Sequence, residues 1–188
     1  MRTDQHLIET ERLILRPPCE ADVPRIVSLA NNRAVAEKLA RMPHPYGEVD
    51  AKAWLEWLKG LPKGCASFAI GLKAEAGGFI GACGYDTFLH GEPDLGYWLG
   101  EPYWGRGLAS EAAAAVLAHA FEVTGLDFVT SGCRLDNPAS RRVLEKIGFR
   151  PDGQRTMFSV GAGREVEIEA FSLTREQWLA LQTGVAYR

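Results

Sequence analysis

Asp94-Leu-Gly-Tyr-Trp-Leu-Gly-Glu-Pro-Tyr-Trp-Gly-Arg-Gly-Leu-Ala-Ser110 is the stretch on which the reading of this chain turns. Asp94–Gly100 reads as a strand, and a long alanine-rich helix opens at about Leu108 and runs to Glu122, where Gly125 is a C-terminal stop. Between strand and helix stand Gly105 and Gly107. Glycine lets a backbone approach an anion closely, and the first N–H groups of a helix, which lack intrahelical acceptors, point at it. Arg106 adds a fixed positive charge, and Ser110 can donate one more hydrogen bond. Gly105, Arg106, Gly107, Leu108, Ala109 and Ser110 are therefore candidates to cradle a pyrophosphate. Two other readings compete: a tight turn with no ligand, and a dinucleotide fingerprint. The fingerprint fails, because Ser110 takes the place of its third glycine and Asp127 lies before a strand, not at its end. The preceding strands also read as antiparallel.

Working upstream, Leu7–Arg16 reads as a strand that Pro17-Pro18 stops, followed by helices over Glu20–Ala30 and Arg33–Leu39. Met42–Gly47 is a loop and Val49–Leu58 a third helix; Ser67–Leu72 and Gly78–Tyr85 are strands. Downstream come a strand at Phe128–Arg134, a helix at Pro138–Ile147, and a hairpin of Gln154–Val160 and Arg164–Leu173. Thr174 and Gln177 form the capping box of a last helix reaching Leu181. The class is mixed α/β, with hairpins first and strand–helix crossovers in the middle.

The 188 residues, 46% hydrophobic and 24% charged, fit a single domain over 1–188. A net charge of −3 without a basic stripe argues against nucleic acid as a partner, and no apolar run is long enough for a membrane span or signal peptide. Cys19, Cys65, Cys83 and Cys133 form no C-x-x-C pair, and His6, His44, His90 and His119 show no ligand spacing, so no metal is expected. Reduced thiols fit a cytoplasmic protein, monomeric or homodimeric.

Trp104-Gly-Arg-Gly-Leu-Ala109 resembles the pyrophosphate loop Q/R-x-x-G-x-G/A of the GNAT superfamily of N-acetyltransferases, with Trp104 in place of its first residue. Y-W-G-x-G is the form typical of the subfamily resembling the Rim-type ribosomal-protein N-terminal acetyltransferases. Glu9–Arg16, Pro43-His-Pro-Tyr46, Leu95-Gly-Tyr-Trp-Leu99, Asn137-Pro-Ala-Ser140 and Lys146-Ile-Gly-Phe149 are similar to that subfamily's segments, in the same order. The resemblance implies a strongly twisted mixed sheet of about seven strands, split between its fourth and fifth strands and flanked by helices. It implies acetyl-CoA as co-substrate, its pantetheine in the split beside the main chain of Trp98, Leu99 and Gly100. The acceptor is then an amine, on a peptide N-terminus or on a small molecule.

Transfer to an amine requires a held thioester, a stabilised oxyanion, a base for the ammonium and an acid for the thiolate. Many GNAT enzymes place a tyrosine acid seven residues after the asparagine of N-x-x-A/S; Leu144 occupies that position here. Ser140 is the substitute the resemblance implies, although a first-turn serine is equally explained by local bonding to backbone. Asn137 is both a helix cap and a pantetheine contact on this reading. Asp94 and Glu167 are the candidate bases; each also reads as a solvated strand carboxylate, and Glu165, Glu167 and Glu169 share one strand face. An α-amine of pKa ~8 costs about 1.4 kcal/mol to deprotonate at pH 7 and a lysine of ~10.4 about 4.6 kcal/mol, so a weak, water-linked base favours an α-amine. Trp54, Trp57, Tyr97, Trp98, Tyr103, Trp104 and Trp178 read either as acceptor-pocket walls or as packing. Direct transfer needs no acyl-enzyme, so Cys133 reads as a buried thiol.

Overall fold

The computed structural model describes residues 7–87 and 91–184. Within them one eight-stranded sheet runs in the order β1-β2-β3-β4-β5-β6-β8-β7. Its strands are β1 (Ile8–Glu9), β2 (Leu13–Arg16), β3 (Ala66–Leu72), β4 (Gly78–Asp86), β5 (Asp94–Leu99), β6 (Phe128–Arg134), β7 (Arg150–Ser159) and β8 (Arg164–Thr174). The helices are α1 (Val23–Ala30), α2 (Arg33–Ala36), α3 (Glu48–Lys59), α4 (Leu108–Ala118), α5 (Pro138–Lys146) and α6 (Arg175–Thr183). Neighbouring strands are antiparallel except β5 and β6, which the crossover through α4 makes parallel. The eighth strand arises because Leu7–Arg16 is not continuous. It folds back on itself at residues 10–12, pairing Ile8 with Leu15, and the turn is held from α4, as described below.

Strand alternation divides the core between the two faces. Phe68, Ile70, Leu95 and Leu99 join Leu108, Val116 and Phe121 of the α4 layer. Ala69, Phe79 and Ala82 point the other way, onto Val23, Ile26 and Ala30 of α1 and Ala51 and Leu55 of α3. Both faces are covered, so β3 is buried almost throughout.

Three helices begin or end differently from their patterns. Glu20–Asp22 is a 3-10 turn and not the start of α1, because the buried Asp22 carboxylate turns back to accept from Cys19 N at 2.9 Å and from Arg16 at 2.8 and 2.5 Å. The second helix stops at Ala36, three residues short of Leu39. After Ala118 the alanine helix widens into a π-helical turn, His119–Val123, beside the Tyr85 hydroxyl, which lies 2.9 Å from His119 Nδ1 and 2.5 Å from Thr124 Oγ1. Gly125, at φ +75°, ends it. The caps at Asn137 and Thr174 form as their sequences predict.

The feature that organises the site is the β5–β6 seam. Its register consists of Asp94 with Thr130 and Leu95 with Ser131; past these pairs the strands diverge. This is the expected split, displaced by one in strand number because of β1.

Candidate active site

At one end of the split lies the loop between β5 and α4. Gly105 and Gly107 sit at φ +71° and +75°, conformations costly for any side-chain-bearing residue. Gly107 is the N-cap of α4 and has no side chain with which to cap it. The first-turn amides, from Leu108, Ala109 and Ser110, are therefore left to an external acceptor. A Cβ at Gly105 would meet nothing within 4 Å, so the approach is open. An anion such as a pyrophosphate fits this end. Arg106 stands beside it, its guanidinium 5.9 Å from the Tyr103 ring centre.

Sequence reading missed what holds this loop. Arg12 donates through Nη1 to the Arg106 carbonyl at 2.9 Å and through Nε to Glu111 at 2.7 Å. Glu111, in the first turn of α4, also accepts from the Arg12 amide at 2.8 Å and from Thr10 Oγ1 at 2.6 Å. Burial pushes the Glu111 carboxyl up, but these bonds from Thr10 and Arg12 outweigh it and hold the group below its ordinary range. Trp104 is also tied inward, its Nε1 donating to the Leu99 carbonyl at 2.8 Å.

The wall of the split is the main chain of β5. Gly100 N–H is committed across the sheet to Ile80 O at 2.9 Å, and the Trp98 carbonyl is turned toward Gly81 of β4. By antiparallel alternation it is Tyr97 and Leu99 whose main-chain groups face the split. Of the expected trio, Leu99 alone presents its backbone there, with its carbonyl already taken by Trp104. Tyr97 adds a second such residue.

On the α4–α5 face, Ser140 takes the third position of α5, and the buried Asn137 caps that helix by accepting from Ser140 N at 3.3 Å. The Ser140 hydroxyl lies 2.8 Å from the Tyr97 hydroxyl. Leu144, in the position where the resemblance leads one to expect a tyrosine, is fully buried. Cys133 is buried too, and burial, then the nearby Glu169 carboxylate, push its thiol up to about 11. A thiol raised in this way is mostly protonated at neutral pH.

On the opposite face the split opens into a cavity of about 560 Å³. Trp54 and Trp57 of α3, Tyr46, and Gly96, Tyr97 and Trp98 of β5 line it, with Asp94 at its edge. Asp94 Oδ1 accepts from Thr130 Oγ1 at 3.1 Å and lies 3.9 Å from an Arg155 nitrogen. Glu167 is exposed and absent from this lining; Ile168 supplies that part of β8. Glu165, Glu167 and Glu169 share one face as predicted, but Glu169 is the buried one, 3.0 Å from Arg141. Of the other aromatic candidates, Trp178 packs on Phe121 at 5.4 Å, away from the cavity.

Residues 12–150 match the acetyltransferase (GNAT) domain family. The chain belongs to this family. Its GNAT relatives include the uncharacterised N-acetyltransferase YoaA of Bacillus subtilis, 24% identical over 90% of this chain and 97% of that protein. The uncharacterised N-acetyltransferase p20 of Bacillus licheniformis is 28% identical over 59% of this chain, which spans 63% of that relative's length. A shorter match, 35% identical over 35% of this chain and 36% of the relative, is to the ribosomal-protein-serine acetyltransferase of Escherichia coli. Among solved structures, a putative acetyltransferase of T. thermophilus superposes with a TM-score of 0.77 at 27% identity, covering 98% of this chain and 97% of the other. The spermidine N-acetyltransferase of Vibrio cholerae, in complex with coenzyme A and spermine, superposes with a TM-score of 0.74 at 18% identity, covering 90% and 99%. Among the described residues no helix is long and apolar enough to cross a membrane.

Proposed function

We propose that this GNAT protein transfers acetyl from acetyl-CoA directly to the α-amine of a protein or peptide N-terminus. The observation that carries the reading is the split, with an uncapped helix N-terminus at one end and an aromatic cavity edged by a carboxylate at the other. Gly105–Ser110 hold the pyrophosphate, the main chain of Tyr97 and Leu99 flanks the pantetheine, and Asn137 fixes the helix that borders it. Asp94, through water, takes the ammonium proton, and Ser140 returns one to the thiolate.

The cavity's carboxylates support this acceptor class, beside Lys38, Arg41, Arg134 and Arg155 in the same lining. Each carboxylate lining it is engaged: Asp86 with Arg41 at 2.8 Å, Asp50 with the Gly47 amide at 2.8 Å, and Asp94 with Thr130. A polyamine carries several ammonium groups, each needing an acidic partner on leaving water. A single α-amine needs one, and it is the amine a weak base can deprotonate at neutral pH. A small-molecule amine is the second reading, supported by a volume ordinary for small-ligand sites.

The test is thiol release from acetyl-CoA against peptides free only at the N-terminus, peptides free only at lysine, and polyamines. Turnover confined to free N-termini is the expected result. Faster turnover of spermidine or of lysine side chains would overturn the acceptor assignment, and coenzyme A binding without turnover of any amine would overturn the enzyme reading. Asp94→Asn is expected to slow the α-amine reaction about tenfold or more at neutral pH, with a smaller deficit at pH 9, where the free amine predominates.

A further inference from the structure

We infer that Tyr97 is a positioning residue for acetyl transfer, its hydroxyl holding the Ser140 hydroxyl so that the serine proton points into the split. The inference rests on the reading of Ser140 as the leaving-group acid.

Two hydroxyls and two protons meet at this contact. Each hydroxyl has one to give. Tyr97 Oη lies 2.8 Å from Ser140 Oγ and 3.2 Å from the Ser140 carbonyl oxygen. When Tyr97 donates along the shorter contact, it occupies a lone pair of Ser140 Oγ and leaves the serine proton for another acceptor. Without that donor, a serine in the first turn of a helix satisfies itself locally against main chain. Its proton is then spent within α5.

Tyr97 is well placed to impose the first arrangement. Its backbone is locked by the β4 register, opposite Cys83, and its ring packs against the α4 side of the core. Burial pushes its phenol up, so it keeps a proton to donate across the working pH range. The same residue lines the cavity and turns its main chain to the split, while Leu144, one turn beyond Ser140, offers no hydroxyl. Strand β5 thus orients the acid that helix α5 carries.

Steady-state kinetics on four proteins test this: wild type, Tyr97→Phe, Ser140→Ala and the double variant, with coenzyme A affinity measured by calorimetry to show that each retains its fold and site. Tyr97→Phe is expected to lower kcat about tenfold or more, with KM for acetyl-CoA within about twofold of wild type. On the Ser140→Ala background the same change is expected to cost nothing further, because residues acting as a unit are not additive. A hydroxyl that merely packs would lower kcat by the same factor in both backgrounds. That outcome, or a Tyr97→Phe enzyme as fast as wild type beside a slow Ser140→Ala, would overturn the inference and leave Ser140 as the acid. Ser140→Ala with wild-type kcat would remove the acid reading itself, and the role of Tyr97 with it.

Discussion

Gly96 is exposed in the middle of a strand whose neighbours are buried or half-buried, and a Cβ there would meet nothing within 4 Å. It lies between Asp94 and Trp98 on the cavity face. The empty space is therefore usable room in the cavity proposed to take the acceptor. Gly96→Val is expected to raise the acceptor KM about tenfold or more, by losing on the order of 1.4 kcal/mol of binding, while leaving the calorimetric affinity for coenzyme A unchanged. The cysteines make a second prediction at this scale. Cys65, Cys83 and Cys133 are buried, and burial pushes the thiols of Cys83 and Cys133 up, whereas Cys19 is exposed. Alkylation of the folded protein near neutral pH, mapped by mass spectrometry of its peptides, should modify Cys19 and spare the other three. Such local properties were legible in the sequence where the signal itself was local: the two loop glycines, the Asn137 cap, the absence of paired cysteines. The Tyr97–Ser140 contact was not, because it depends on the register of a strand against a helix 43 residues further along.

At the scale of elements, α4 carries the largest burden. Its N-terminus has no side-chain cap, and its first turn is secured through Glu111 by the turn between β1 and β2. Glu111→Gln weakens bonds to a charged acceptor, worth about 2 kcal/mol. Because its folded pKa is depressed, the Glu111 carboxylate contributes stability above the unfolded value that disappears as pH falls through the folded one. Urea titrations should therefore show wild type and Glu111→Gln differing at neutral pH and converging as the pH falls through the depressed folded value. The variant should also raise KM for acetyl-CoA, since Arg12 then loses its anchor while it holds the Arg106 carbonyl. The pattern Glu9–Arg16 was readable as a strand; its break at residues 10–12 was not, since the group that enforces it stands about 100 residues away. Likewise the period of residues 108–122 gave a helix, but not its π-helical end beside Tyr85.

The whole molecule is a continuous sheet with a seam that closes at one end only. A ligand that lies along that seam stabilises the folded state by mass action, about 2.7 kcal/mol at a hundred times its dissociation constant. For a domain of this size that corresponds to a melting temperature higher by roughly 5–10 °C. Thermal denaturation with and without coenzyme A checks it, and hydrogen exchange should show the gain in protection at the amides of Tyr97 and Leu99. The presence of a split was expected only because the chain's motifs resemble the GNAT family's, in the same order. The partition of Asp94 and Glu167 to different surroundings did not, because both belong to alternating strand patterns that read alike from either side. The two ends of the split have a consequence for traffic. On the proposed reading coenzyme A enters at the Gly105–Ser110 end of the split and the amine through the cavity, by two separate entrances. If both can be occupied together, as direct transfer requires, double-reciprocal plots are expected to intersect.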